Sequence, residues 1–101
     1  MIIIERLVQH VFPGKEAELE ALDKEYNAVE AKMGFPLKKR YQMISGPDEM
    51  GTLIVERQWV SLAAMEAAYE KLMVNPEWQA LYQRSSTVLR DSRMELYTPL
   101  P

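Results

Sequence analysis

Cysteine is absent from this chain of 101 residues, and histidine occurs only once, as His10. Without cysteine there can be no disulfide bond, no thiolate metal ligand and no thiol nucleophile. A single histidine without a paired carboxylate spacing predicts no metal site. The four glycines are isolated turn residues, so the chain has neither a phosphate-binding glycine loop nor a dinucleotide fingerprint, and we expect no cofactor.

Long apolar runs and an excess of basic residues are missing too. Only three isoleucines precede the first charge, at Glu5, whereas a signal peptide needs about 7–15 apolar residues after a basic segment. No stretch approaches the roughly 18–20 apolar residues of a membrane span. The net charge of −3 argues against nucleic acid, because phosphate contacts need clustered lysine and arginine. We therefore expect a cytoplasmic protein that binds neither membranes nor nucleic acid.

The remaining composition is that of one globular domain. Hydrophobic residues make up 48% of the chain and charged residues 27%, as is typical of soluble domains. A chain of this length has room for one hydrophobic core, so residues 1–101 are expected to form a single domain. Domains of this size bury only about 60–70% of their unfolded surface, and an additional interface would stabilise them.

Hydrophobic periodicity predicts four strands and two helical regions. The strands are expected at residues 2–12, 37–45, 52–60 and 93–98. With the helices between them the order is βαββαβ. Short connections and right-handed crossovers then predict an α+β fold, a ferredoxin-like sandwich in which the N-terminal and C-terminal strands are neighbours.

The two helical regions have recognisable starts. The first is expected at residues 15–33, with Gly14 as its N-cap, and its apolar residues recur three and four apart. Ser61 is a favourable N-cap for the second region. Asn75 then caps a restart that has Pro76 at its first position, where the missing N–H costs nothing. The restarted helix carries apolar residues at Trp78, Leu81, Tyr82, Val88 and Leu89.

Neither inner strand alternates cleanly between apolar and polar residues. One face of the first strand combines Ile4 and Val8 with Arg6, and the other combines Ile3 and Leu7 with glutamate and glutamine. Both faces are therefore expected to be at least partly buried. A second copy of the same sheet is the simplest cover for the face without helices, which predicts a homodimer and a dimeric α+β barrel. Its mixed lining would form a cavity for a small apolar or aromatic ligand.

Several local motifs resemble those of the NIPSNAP family, which belongs to the dimeric α+β barrel superfamily. They are the Pro13-Gly14 stop, the Trp59-x-Ser61-Leu62 strand exit, the Asn75-Pro76-Glu77-Trp78-Gln79 restart and the closing residues 95–100. The resemblance covers nearly the whole chain. The first strand departs from the alternating Glu-x-Arg-x-Tyr of many family members, because the matching residues here are Glu5, Leu7 and Gln9.

The resemblance implies the fold more directly than the activity. The NIPSNAP family has no agreed biochemical activity, which suggests a small-molecule-binding or assembly module. Superfamily relatives include monooxygenases, isomerases, cyclases and haem-degrading enzymes. The alternative is therefore a small cofactor-independent enzyme acting on an apolar or aromatic substrate in the barrel cavity.

Glu95, Tyr97 and His10 are the candidate catalytic residues. A partner sheet should desolvate Glu95 and raise its pKa, which would suit a general base. The alternative is an ion pair between Glu95 and an arginine, at Arg6, Arg57 or Arg93, which would lower the pKa and make the residue structural. Tyr97 could orient a carbonyl group. His10 is either a general base or a partly exposed residue at a strand end.

Glu5, Gln9, Arg57 and Trp59 are the candidate ligand-binding residues. The polar members could equally form hydrogen bonds across a dimer interface, and Trp59 could belong to the core. Lys38, Lys39 and Arg40 form a basic run at the start of the second strand. Such a run either binds an anion or protects an outer strand from edge-to-edge pairing, and the second role is the more common.

Overall fold

Three helices cover one face of a four-stranded antiparallel sheet in the computed structural model, which describes residues 1–101. The elements are β1 (Ile3–Val11), α1 (Glu16–Lys32), β2 (Lys39–Gln42), β3 (Leu53–Trp59), α2 (Leu62–Met73), α3 (Pro76–Ser85) and β4 (Leu89–Tyr97). The strand order is β2-β3-β1-β4, so the terminal strands are adjacent. The predicted ferredoxin-like α+β fold is confirmed.

Strand β1 is central and divides its side chains between two environments. Ile3, Glu5, Leu7 and Gln9 point toward the helices, where Ile3 joins the core. Arg6, Val8 and His10 point the other way, because side chains alternate along a strand. We call this second side of the sheet the uncovered face. In register, Glu5 lies opposite Arg57 of β3 and Leu96 of β4.

The helices begin and end where local chemistry favours it. The Ser61 hydroxyl accepts a hydrogen bond from the Ala64 amide at 3.1 Å, and the Asn75 side chain accepts one from the Trp78 amide at 3.0 Å. Both predicted caps are confirmed. The prediction of Gly14 as the cap of α1 is wrong. The N-cap is the residue after it, and Gly14 itself has a φ of +80°, which favours glycine in the preceding turn.

The core lies between the helices and the helix-covered side of the sheet. Its aromatic part is Phe35, Trp59 and Tyr69, with the Phe35 ring centroid 5.1 Å from that of Trp59 and 5.3 Å from that of Tyr69. Edge contacts of this kind add about 0.5–1.5 kcal/mol to the free energy gained by burial. Leu72 of α2 and Leu22 of α1 are almost fully buried beside them. This packing fixes both helices above β1 and β3.

Two predicted boundaries are wrong. The last strand begins at Leu89 rather than at residue 93, and α3 ends at Ser85 rather than continuing to Leu89. The Phe12 amide donates to the Val88 carbonyl at 2.9 Å, so pairing with β1 overrides the helical spacing of the apolar residues. Strand β2 has only four residues, and Leu37 before it is 96% exposed.

None of the three helices combines the length and apolar character needed to cross a membrane.

Candidate functional site

A cavity of about 320 Å³ lies between the helices and the helix-covered side of the sheet. Twelve of its 19 lining residues are hydrophobic, among them Leu53, Leu72, Trp78 and Met94. This volume lies at the lower end of the range of about 300–1,000 Å³ found for ligand pockets. The cavity belongs to a single chain. It lies beneath the helices, whereas the predicted barrel cavity would lie on the opposite face between two copies and stays a prediction.

Four charged side chains meet at one end of this cavity. They are Asp23 and Glu30 from α1, Lys38 from the segment before β2, and Arg57 from β3. The Lys38 ammonium lies 2.7 Å from Oδ1 of Asp23 and 3.4 Å from Oε1 of Glu30. Arg57 donates from Nη2 to the same oxygen of Glu30. We call these four residues the charged end of the cavity.

Glu5 lies behind the charged end and is 1% exposed. Its carboxylate is 3.5 Å from Nη1 of Arg57 and accepts a hydrogen bond of 3.3 Å from the indole of Trp59. Tyr69 of α2 donates its hydroxyl proton to the other carboxylate oxygen. Burial, together with the adjacent Glu5 charge, raises the pKa of Tyr69 above its ordinary value. The hydroxyl therefore stays protonated and acts as a donor.

Uncharged polar groups lie farther along the cavity. Gln9 of β1 is paired with Leu53 of β3 and Ser92 of β4, and all three residues line the cavity. Gln9 follows Glu5 by four residues, which is about 13 Å along a strand. Tyr26 of α1 also lines the cavity, and burial raises the pKa of its hydroxyl. We call Gln9 and Ser92 the neutral end.

The four predicted ligand-binding residues all lie on the helix-covered side of the sheet. Gln9 and Arg57 line the cavity. Glu5 and Trp59 lie behind it, where Trp59 packs in the core and both side chains are buried. The structure therefore brings Glu5, Arg57 and Trp59 together around the charged end and places Gln9 at the neutral end. Two of them can touch a ligand, and the other two position the groups that do.

The predicted catalytic residues lie on the opposite side of the sheet, on the uncovered face. Glu95 accepts hydrogen bonds from the Tyr97 hydroxyl at 2.7 Å and from Nε of Arg93 at 2.9 Å. These bonds, with that of Tyr97 the stronger cause, lower the pKa of Glu95. Within the single chain, the lowered pKa of Glu95 agrees with the alternative, in which an arginine pairs with this carboxylate. The rise in pKa expected from a partner sheet stays a prediction.

His10 is held by two carboxylates on the same uncovered face. Its Nδ1 is hydrogen-bonded to Asp91, and its Nε2 lies 3.3 Å from Oδ1 of Asp48, which belongs to the connection between β2 and β3. The His10 hydrogen bond lowers the pKa of Asp91. The whole sheet therefore separates His10, Glu95 and Tyr97 from the cavity. No group of three or more histidine, aspartate or glutamate side chains is arranged to hold a metal ion.

Sequence reasoning missed Asp23 and Glu30, and it placed Lys38 at the start of the second strand. Lys38 instead precedes β2, and its side chain is only 11% exposed and is paired with these two carboxylates. Arg40 of the same basic run binds Glu20 of α1 through two hydrogen bonds. A usable signal existed in α1. Asp23 and Glu30 follow Leu19 and Tyr26 by four residues each, which places charge on the buried stripe of the helix.

Similar proteins are found among solved structures. The sequence matches no protein-family model and no curated protein. A NIPSNAP family protein of Agrobacterium tumefaciens strain C58 is 24% identical, with 99% of this chain and 94% of that chain covered and a TM-score of 0.84. An uncharacterised NIPSNAP-like domain protein of Burkholderia xenovorans is 17% identical, with 98% and 85% covered and a TM-score of 0.82.

A third solved structure adds a description of assembly. It is a dimeric protein of unknown function with a ferredoxin-like fold from Bacteroides fragilis, 11% identical, with 95% of this chain and 94% of that chain covered and a TM-score of 0.66. The chain thus has, over nearly its whole length, the fold of NIPSNAP family proteins.

Proposed function

We propose that this protein is a NIPSNAP-like module that binds a small molecule in the cavity between its helices and its sheet. One observation carries the proposal, namely a cavity of about 320 Å³ with a mainly apolar lining and polar groups gathered at its two ends. Sites for small molecules commonly combine an apolar wall with a few placed polar groups. The similarity to NIPSNAP family structures supports the fold in which this cavity forms.

Binding fits this cavity better than catalysis does. The carboxylates that line it, Asp23 and Glu30, are both paired with cations, and Tyr69 donates its proton to Glu5. A general base must be within reach of a substrate proton and free to accept it. The alternative, a cofactor-independent enzyme that uses Glu95, Tyr97 or His10, would need its substrate on the uncovered face. On that face all three side chains are held by hydrogen bonds or ion pairs within the chain, so we favour a binding module.

We also infer that two copies pair through their uncovered faces to form a homodimeric α+β barrel. The apolar residues of this face that stay partly exposed include Ile4 on β1 and Ile54 on β3, whereas Val8 on β1 is already buried within the chain. Around these residues, Arg6 and Glu56 form an ion pair at 2.6 Å, and the Arg6 guanidinium lies 5.0 Å from the ring centroid of Tyr97. A dimeric neighbour of the same fold supports this arrangement.

Titration calorimetry with 2-naphthol tests the binding site. This probe has an apolar body and one uncharged hydroxyl, and we expect saturable binding to one site per chain. Ser92→Phe places a large side chain at the exposed rim of the cavity and should abolish binding. Gln83→Phe makes a similar change on an exposed position of α3 outside the lining and should leave binding intact. Equal binding by both variants would refute the assignment of the cavity.

A further inference from the structure

The charged end of the cavity has no spare positive charge. Lys38 and Arg57 contribute two positive charges, Asp23 and Glu30 contribute two negative charges, and the Glu5 carboxylate behind them also faces Arg57. The side chains of Lys38, Arg57, Asp23 and Glu30 are largely removed from water, with exposed fractions between 3% and 15%. A ligand anion would find no unpaired cation here, and a ligand cation would find no unpaired carboxylate. Burying an unpaired charge is costly, so this pairing restricts the ligands that can enter.

Both cations at this end already have partners within the chain. Arg57 donates from Nε to the Pro36 carbonyl at 3.2 Å and directs Nη1 toward Glu5 and Nη2 toward Glu30. Lys38 is held by Asp23 and Glu30. A ligand carboxylate would have to compete with these carboxylates for Arg57 and Lys38. The apparent anion site formed by two basic residues is therefore occupied by the protein itself.

Glu30 is the residue that both cations share. The same oxygen, Oε1, lies 3.4 Å from the Lys38 ammonium and accepts the Nη2 hydrogen bond of Arg57. We propose that Glu30 determines ligand selectivity by neutralising these two cations, so that the cavity takes an uncharged ligand with an apolar body and a hydroxyl or amide group, and rejects anions. This inference rests on the proposed function, because it concerns the chemistry of the same cavity.

The neutral end provides the matching partners for such a ligand. The Gln9 amide can both donate and accept, and the Ser92 hydroxyl can do the same. Apolar side chains, including Leu53 and Leu89, line the same part of the cavity. An uncharged polar group of the ligand can hydrogen-bond here while the apolar body fills the remainder.

Three ligands of the same shape and different charge test the proposal at neutral pH. They are 2-naphthol, 2-naphthoate and 2-naphthylmethylammonium, each titrated calorimetrically into the unaltered protein. We expect the Kd of 2-naphthol to be lower than that of either ion by about tenfold or more, the scale of discrimination produced by an unpaired buried charge. Naphthoate or the ammonium compound binding as tightly as 2-naphthol would overturn the proposal.

Exchanging Glu30 for glutamine tests its role directly. Glu30→Gln keeps the shape of the side chain but removes the carboxylate that Lys38 and Arg57 share. Both cations can then bind a ligand anion, so the preference for 2-naphthol over naphthoate should fall by about tenfold. Glu16→Gln, the same change on an exposed position of α1, should keep the original preference. Lys38→Gln removes a positive charge instead and frees carboxylate oxygens of Asp23 and Glu30. The affinity for 2-naphthylmethylammonium should therefore rise. An unchanged preference in folded Glu30→Gln would overturn the role of Glu30.

The results separate this inference from the proposed function. If none of the three compounds binds, or if Ser92→Phe binds them as well as the unaltered protein does, the cavity is not a binding site and both proposals fail. If the compounds bind in the cavity and naphthoate binds best, the site stands and only the inferred selectivity fails. Circular dichroism of each variant at the titration temperature establishes that the protein being compared is folded.

Discussion

Tyr69 of α2 donates its hydroxyl proton to the buried carboxylate of Glu5 in β1. The two residues are 64 positions apart, and this bond ties the second helix to the central strand at the charged end of the cavity. Arg57 and Trp59 complete the set of donors around the same carboxylate. A charged group can remain at 1% exposure because several donors replace the water that it has lost.

The bond between Tyr69 and Glu5 predicts a measurable loss of stability. Tyr69→Phe removes the hydroxyl and leaves a buried acceptor short of one donor, which should reduce the free energy of unfolding by about 1–3 kcal/mol. Urea unfolding followed by circular dichroism gives this value. Tyr82→Phe removes a hydroxyl from a residue that is 62% exposed and should change stability by less than about 0.5 kcal/mol. Equal losses in the two variants would contradict this account.

Removal of Arg57 should have a larger effect. Arg57→Met leaves the buried Glu5 carboxylate without its cation, which should cost about 3–5 kcal/mol of stability. The double variant Glu5→Gln/Arg57→Met removes the uncompensated charge as well. It should therefore be more stable than Arg57→Met alone, as judged from the urea midpoints. A double variant less stable than the single one would show that Glu5 does not depend on Arg57.

The ion pair between Asp48 and Arg93 predicts a loss of stability in acid. Two hydrogen bonds from Arg93, and secondarily His10, hold the pKa of Asp48 below its ordinary value of 3.8. Because the pKa is lower in the folded state, the stabilisation is complete above pH about 4 and is lost as the pH falls through the folded-state value. Asp48→Asn should therefore weaken the dependence of unfolding free energy on pH in this range.

A series of urea titrations between pH about 5 and 2 measures this dependence, because that range spans the ordinary and lowered pKa values of a paired aspartate. Glu66→Gln changes an exposed carboxylate of α2 and should leave the dependence of unfolding free energy on pH unchanged. If Asp48→Asn also leaves this dependence unchanged, the Asp48–Arg93 pair does not contribute to the loss of stability in acid.

The Ser61 cap should contribute about as much to the free energy of unfolding as helix caps do in other proteins. Ser61→Ala removes the acceptor for the Ala64 amide at the start of α2 and should lower stability by about 0.5–2 kcal/mol. Ser61→Asp supplies another side-chain acceptor and should retain most of the stability. Thermal unfolding should give the highest midpoint for the unaltered protein, a slightly lower one for Ser61→Asp and the lowest for Ser61→Ala. Equal destabilisation of the two variants would contradict this prediction.

The inferred dimer can be tested at the partly exposed apolar residues of the uncovered face. Sedimentation equilibrium of the unaltered protein should give twice the mass of the 11.7 kDa chain. Ile54→Glu places a charge in the inferred interface, where it would lose water without a partner, and should shift the protein toward the monomer. Val74→Glu changes a residue that is 74% exposed beyond α2 and should leave the mass unchanged. A monomeric unaltered protein would refute the barrel.

The fold could be predicted from the sequence because its signals are local. Ser61, Asn75 and Pro76 mark helix starts by chemistry that acts over three or four residues, and the structure has these helices where the signals lie. The start of β4 could not be predicted in the same way. Leu89 continues the helical spacing of α3, and only pairing with Val11, far away in the chain, makes it a strand residue.

The site was only partly predictable. Alternation along β1 and β3 places Gln9 and Arg57 on one side of the sheet, and alternation along β4 places Glu95 and Tyr97 on the other side. It does not say which side has room for a ligand. The cavity depends on how α1, α2 and α3 pack over the strands, and Lys38 enters it only because Asp23 and Glu30 lie across from it.

The pairing of β1 with β4 has a consequence for the order in which the molecule is made. Ile4 and Tyr97 are direct partners, so the central strand lacks one neighbour until the last strand has left the ribosome. During synthesis β1 keeps an unpaired edge, and such edges can pair with other chains. The contacts that complete the sheet join residues nearly the whole chain apart, and contacts of this range slow folding. Folding of the sheet must therefore finish after translation of β4, and chains stalled before it would be prone to aggregate.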